Sequence, residues 1–276
     1  MKFTNDPVEL GKIAQRMRID ILKMLNASGS GHSGGSLSCI DILVALYFSK
    51  LNHAKGRKKA DKGDKFVLSK GHAAPALYAV LAEWGYFSKD ELPRLRKLKS
   101  MLSGHPYSLS TPGVEVTTGS LGQGLSQANG LAIASRLNRY DSKIYCLLGD
   151  GENQEGQVWE AAMTASHYKL DNLIAIIDNN LLQIDGKVED VMKIEPLAEK
   201  WASFGWNVLE ADGHHFPSIL EAIDNAKGVK GKPTVIIART VKGKGVSFME
   251  GNVKWHGATP NDEELKKAIE ELSQQE

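Results

Sequence analysis

Two short runs of this chain, Lys143-Ile-Tyr-Cys-Leu-Leu148 and Asn172-Leu-Ile-Ala-Ile-Ile177, are apolar almost without interruption. A strand with one wet face alternates apolar and polar residues. An unbroken apolar run needs cover on both faces, as in a parallel strand between two layers of helix. The stretch between the runs, Gln157 to Tyr168, carries helical periodicity. The alternation continues on either side, with a strand at Lys65 to Ser69, a helix at Ala74 to Trp84 and a helix at Pro196 to Phe204. A strand at Trp206 to Leu209, a helix at Ser218 to Ala226 and a strand at Pro233 to Ala238 complete it. This pattern predicts an α/β fold, a doubly wound, largely parallel sheet with helices on both faces, in one domain over residues 1–276. Ligands of such sheets bind beyond the carboxyl ends of the strands.

Further helices are expected at Val8 to Leu25, where Asn5-Asp6-Pro7 supplies a cap and a proline start, and at Ser38 to Phe48, Gln123 to Tyr140 and Asp262 to Ser273. The terminal helix favours a natural end to the chain. From Lys99 to Gly124 the sequence is dominated by Gly, Ser, Thr and Pro, a long irregular stretch of the kind that usually carries function.

Charge narrows the partners. With 34 Lys and Arg against 33 Asp and Glu in 276 residues, no global field draws the chain to nucleic acid or to a membrane surface, so an anionic ligand must be held by local geometry. The one basic run, Lys55 to Lys65, is interrupted by Asp61 and Asp64 and reads as a solvated loop. Cys39 and Cys146 stand far apart in apolar segments, as buried free thiols of a cytoplasmic protein would. There is no secretory leader pattern and no apolar run long enough to cross a membrane.

Gly29-Ser-Gly31-His32-Ser-Gly34 spells a dinucleotide-binding glycine pattern but follows a helix rather than a strand, so it fails in context. A helix cap and turn explains some of its glycines, and leaves His32 unexplained. The stronger signal is Gly149-Asp150-Gly151 directly after one predicted strand, followed after 27 residues by Asn179-Asn180 directly after the next. Two adjacent strand ends then offer a carboxylate and a carboxamide to one crevice, hard oxygen donors that suit Mg²⁺ or Ca²⁺. His32, His72, His105 and His256 lie in glycine-rich or irregular segments, where catalytic groups concentrate, whereas His53, His167, His214 and His215 read as structural.

The Gly-Asp-Gly and Asn-Asn spacing is the thiamine diphosphate signature, and the surrounding segments resemble the transketolase family. They include SGHSGGSLS (30–38), VLSKGHAAPALY (67–78), GHP (104–106), TPGVEVTTGSLGQG (111–124), GDGENQEGQVWEA (149–161), IDNNLLQIDG (177–186), DGHHF (212–216) and TVKGKGVSFMEGNVKWHGATP (240–260). The resemblance implies thiamine diphosphate as cofactor. It implies a Mg²⁺ ion, with Ca²⁺ or Mn²⁺ as substitutes, on Asp150, Asn180 and the main-chain carbonyl of Leu182. It places Gly151, Glu152, His72, Asn180 and His256 among the cofactor contacts, sets Gly119, Ser120 and Leu121 against the thiamine, and packs Ile184 on the thiazolium ring. His32, His72, His105 and His256, with Glu155 at a subunit border, form the implied catalytic set. Glu160 reads more simply as a helix-terminus acid.

Members of the family continue into a pyrimidine-binding and a C-terminal domain, and this chain ends at Glu276. The glutamate that activates the aminopyrimidine ring and most of the groups that grip a sugar phosphate belong to those domains. The expectation is therefore the N-terminal subunit of a split transketolase, joined to a C-terminal subunit in an α2β2 assembly and moving a two-carbon ketol unit between phosphorylated or sulfonated sugars. The alternatives are another thiamine diphosphate enzyme, of the deoxyxylulose-phosphate synthase or 2-oxo acid dehydrogenase kind, and a non-catalytic cofactor-binding module.

Overall fold

The computed structural model describes residues 3–53 and 62–274. The first helix, α1 (Pro7–Ser28), starts at Asp6, whose carboxylate accepts from the Val8 N–H at 3.0 Å, and ends at Gly29 in the left-handed conformation (φ 64°). Two short helices, α2 (Ser33–Ser38) and α3 (Ile40–Ala45), follow, and α3 runs on into a wider turn, Leu46–Lys50. The single helix expected from Ser38 is thus two. Helical geometry begins five residues earlier, inside the glycine-rich segment, and breaks at Cys39.

Strand β1 (Lys65–Leu68) leads to α4 (Ala74–Trp84). No regular strand or α-helix then occurs before α5 (Gln123–Leu137), so the long irregular stretch is as expected. Next come β2 (Ile144–Gly149), α6 (Gly156–His167) and β3 (Leu173–Asn179). A two-residue hairpin, β4 (Leu182–Gln183) with β5 (Gly186–Lys187), and a short helix, α7 (Val188–Val191), carry no signal in the sequence. The chain closes with α8 (Leu197–Ser203), β6 (Asn207–Asp212), α9 (Phe216–Gly228), β7 (Thr234–Arg239) and α10 (Asp262–Ser273).

The five long strands pair in the order β1-β2-β3-β7-β6, every neighbour parallel. Their residues divide strictly between two cores. Tyr145 and Leu147 of β2 face one core with α1, α3, α4 and α9, while Ile144, Cys146 and Leu148 face the other with α5, α6 and α8. This double burial is why β2 and β3 carry no polar alternation. Cys39 and Cys146 lie in opposite cores as free thiols, and burial pushes Cys39 up to about 12.

Of the basic run, residues 55–61 lie outside the described residues. Its end departs from a solvated loop: Asp64 is buried and accepts from the N–H groups of Asn52 and Lys143, and Lys65 is buried at the start of β1 with its ammonium 3.3 Å from Glu115. No helix among the described residues is long and apolar enough to cross a membrane.

Candidate functional site

At the carboxyl ends of β1, β2, β3 and β7 lies a cavity of about 400 Å³. Its wall includes His32, His72, His105, Gly119, Leu121, Asp150, Gly151, Glu152, Glu155, Asn180, Leu182, Ile184 and His256, almost the whole expected set gathered from segments more than 200 residues apart. Ser120 is exposed and outside this wall, and Glu160 is exposed on α6 away from it.

Asp150 follows β2, is 3% exposed, and accepts from the N–H groups of Gly151 at 2.7 Å and of Leu181. Among the described residues no lysine or arginine forms an ion pair with it. Burial, and then the neighbouring Asp178, raise its carboxyl to about 6. Asn180, after β3, is buried as well and lines the same cavity. Asp150, Asn180 and Leu182 thus bring a carboxylate, a carboxamide and a main-chain carbonyl to the wall of one cavity, although the Leu182 carbonyl here accepts from the Lys242 ammonium at 2.7 Å. Among the described residues no group of three His, Cys, Asp or Glu side chains could hold a metal, so a cation here would rely on amide and main-chain oxygens and on ligand phosphate.

Three histidine rings meet as a triangle, His32 to His72 at 5.2 Å, His72 to His256 at 5.3 Å and His32 to His256 at 5.7 Å between centroids. Burial is the first cause that lowers each of them, with nearby lysine, arginine and histidine charge adding to it. His32 falls to about 4, His256 to about 3, and His72 and His105 also move down. All four are neutral imidazoles near neutral pH. Nδ1 of His32 is buried without a hydrogen-bond partner, an unfilled polar position at the cavity. His105 packs against Gly119, where an added Cβ would come within 3.4 Å of its ring.

Lys242, which sequence reasoning missed, is buried in this wall. Its ammonium donates to the Leu182 carbonyl and, at 2.8 Å, to Nδ1 of His256, so His256 carries its proton on Nε2. It has no carboxylate partner among the described residues, and burial, then the Lys70 charge, lower it to about 8. The only signal for it is faint, the two glycines that follow in Lys242-Gly-Lys-Gly245. A chain turning on Gly243 (φ 81°) can tuck the preceding side chain inward. Lys70 also reaches the wall, but its charge is neutralised by Asp178.

Glu152 departs from its expected use. It lines the cavity, yet its carboxylate accepts from Ser69 and from the N–H groups of Gly122 and Gly149, tying three loops together. Glu155 sits exposed at the rim against Gly122. The structural histidines behave as expected: His53 bonds Tyr86 and Tyr47 through its two nitrogens, and His214 bonds Asp41 at 2.7 Å and accepts from the Val241 N–H.

Fold and cavity together define a parallel α/β domain with a lysine- and histidine-lined cleft at its strand ends. Residues 11–275 match the family model described as transketolase, thiamine diphosphate binding domain, and the chain belongs to this family. It is 43% identical over 261 residues to one of the separate subunits of apulose-4-phosphate transketolase from Phocaeicola vulgatus, covering 95% of this chain and 92% of that one. It is 43% identical over 273 residues to 6-deoxy-6-sulfo-D-fructose transketolase subunit SqwG of a Clostridium species, covering 99% of each. Human transketolase is 40% identical over 263 residues, 95% of this chain but 42% of the human protein. Among solved structures, transketolase from Campylobacter jejuni superposes with a TM-score of 0.90 at 37% identity over 96% of this chain and 42% of that one. The chain spans about two fifths of such full-length relatives and nearly the whole of the separate subunits.

Proposed function

We propose that this chain, as one diphosphate-binding domain, is the N-terminal subunit of a two-chain transketolase, in an α2β2 assembly with a partner that carries the pyrimidine-binding and C-terminal domains. The enzyme transfers a two-carbon ketol unit from a ketose to an aldose bearing a phosphate or sulfonate. The observation that carries this reading is the convergence of Asp150 and Asn180 with four neutral histidines in one cavity of a chain 43% identical to separate transketolase subunits. Buried free thiols in both cores suit a reducing cytoplasm.

A buried carboxylate without a cationic partner, beside an amide oxygen and a main-chain carbonyl, fits Mg²⁺. In this reading Asp150, Asn180 and Leu182 would hold the ion. Lys242, which has no carboxylate partner among the described residues, would hold the diphosphate together with His72 and the Nε2–H of His256. Thiamine diphosphate, when bound, supplies the carbon nucleophile that cleaves the ketose. Around it, Gly119 and Leu121 bound the thiamine side and Ile184 packs on its ring. His32, at one corner of the histidine triangle, and His105, against Gly119, are neutral bases and acids for the sugar hydroxyl protons. Glu152 holds the Gly149 and Gly122 loops in place, and Glu155 at the rim faces the partner.

The test mixes the purified chain with the product of a neighbouring reading frame that encodes the remaining domains, in Mg²⁺ and thiamine diphosphate. Two-carbon transfer from a ketose phosphate by the mixture, absent from either chain alone, is the expected result. Full activity of this chain by itself overturns the two-subunit reading, and carbon dioxide release from pyruvate overturns the transketolase assignment.

A further inference from the structure

Beneath the cavity lies a buried ion pair that the proposed chemistry does not use. Asp178, the sixth residue of β3, is 0% exposed, and Lys70, just past β1, is 1% exposed. The Asp178 carboxylate accepts from the Lys70 ammonium, from Ser38 Oγ at 2.6 Å, from Thr240 Oγ1 and from Asn180 Nδ2 at 3.2 Å. Lys70 donates its next hydrogen to the Gly35 carbonyl at 3.0 Å. The pair therefore joins α2 to the carboxyl ends of β1, β3 and β7. A buried pair of this kind is weak evidence for stability, since well-packed apolar residues of similar volume often serve as well. Its place under a binding cavity points to what it holds.

What it holds is Asn180. The carboxamide gives Nδ2 to Asp178 while Oδ1 accepts from the Leu182 N–H at 3.2 Å. Turning the amide over would set its oxygen against a carboxylate and its NH₂ against an N–H, losing both bonds to two repulsive contacts. Asp178 accepts only, so its presence keeps Nδ2 on the Asp178 side and Oδ1 on the side of Leu182, which lines the cavity. Lys70 cancels the Asp178 charge, so the carboxylate can orient Asn180 without competing for a cation.

We propose that Asp178, held by Lys70, is the positioning residue that presents the Asn180 carboxamide oxygen to a divalent cation and thereby sets the affinity of the Asp150 site. This rests on the metal reading above. Outer groups of this type are worth about 10- to 100-fold in metal affinity.

The experiment titrates Mn²⁺ into the purified chain with thiamine diphosphate and follows free Mn²⁺ by electron paramagnetic resonance, checking folding by thermal melting. Two charge-conserving pairs are compared with the wild type. Lys70→Met/Asp178→Leu removes the acceptor that orients Asn180, and Mn²⁺ affinity is expected to fall at least about tenfold. Lys70→Gln/Asp178→Asn leaves a carboxamide oxygen for Asn180 Nδ2, and affinity is expected to stay well within that factor. A folded Met/Leu pair that binds Mn²⁺ like the wild type overturns the inference, as does a Gln/Asn pair that loses as much as the Met/Leu pair. If the Met/Leu pair gives no cooperative melt, the Gln/Asn pair decides: retention supports orientation, and a tenfold loss overturns it. A wild-type chain that binds no Mn²⁺ overturns the metal reading, and this inference with it.

Discussion

At the scale of single residues the site is a set of groups whose proton affinities burial has moved away from their ordinary values. Asp150 is raised to about 6, so protons compete for it in the metal-free fold from that pH downward, and a cation must displace them. With thiamine diphosphate present, Mg²⁺ is expected to raise the melting temperature at pH 8, and the gain should shrink progressively as pH falls below about 6. A calorimetric series that shows the same Mg²⁺ gain at pH 5 and pH 8 would exclude Asp150 as the ligand. Asp150→Ala should abolish the gain at every pH. Lys242 has no carboxylate to neutralise it, and a hydrogen bond to a charged group is worth about 1.5–3 kcal/mol, so Lys242→Met is expected to weaken cofactor binding by one to two orders of magnitude. Fluorescence titration with thiamine diphosphate measures it, and unchanged affinity would remove Lys242 from the diphosphate grip. Asp150, Asn180 and the four histidines are legible because glycines and strand ends flag them. Lys242 is not, because a lysine between a valine and a glycine looks like any surface lysine until burial shows otherwise.

At the scale of elements, legibility follows burial. β2 and β3 announce themselves because both faces are covered. The hairpin of β4 and β5 has two residues per strand, too few for any period. The Lys70–Asp178 pair spans 108 positions, and only the parallel sheet brings its two ends together. The turn into α2 combines both situations. Gly29 is readable as a helix cap, but the reason for Gly34 lies elsewhere in the fold: a Cβ there would come within 2.7 Å of Lys242 Cγ and 3.0 Å of the Trp255 carbonyl oxygen. Helix propensity alone favours Gly34→Ala by up to about 1 kcal/mol, whereas overpacking costs about 1–3 kcal/mol, so the packing cost wins. The substitution is expected to destabilise the chain in urea by about 1–2 kcal/mol. Because the moving neighbour is Lys242, it should also weaken cofactor binding. A Gly34→Ala chain more stable than wild type would show that α2 is free to shift.

At the scale of the whole molecule, a chain of near-zero net charge has gathered four of its eight histidines into one cavity and kept them all neutral. The unfolded chain would hold these imidazoles near their ordinary 6.5, while the native one lowers His32 to about 4 and His256 to about 3, with His72 and His105 also shifted down. Between those limits the unfolded state binds more protons, so stability is fully present above about 6.5 and drains away as pH falls toward the folded values. Asp150, between 3.8 and about 6, and Glu152, which burial also raises, work in the opposite direction, since their native forms bind the extra proton, but they are two groups against four. The metal-free chain is therefore expected to lose urea resistance steadily from about pH 7 to about pH 4.5. His72→Gln, which removes the most buried of the four titrations, should flatten that slope even if it lowers stability at neutral pH. Urea midpoints for the two proteins across that range decide the matter. Parallel curves would mean that the histidine cluster is not what makes the fold acid-sensitive in this range, whereas the buried Asp41 and Asp178 carboxylates, both held below the usual range beside their cationic partners, lose their contribution only as pH falls toward 3.8 and below.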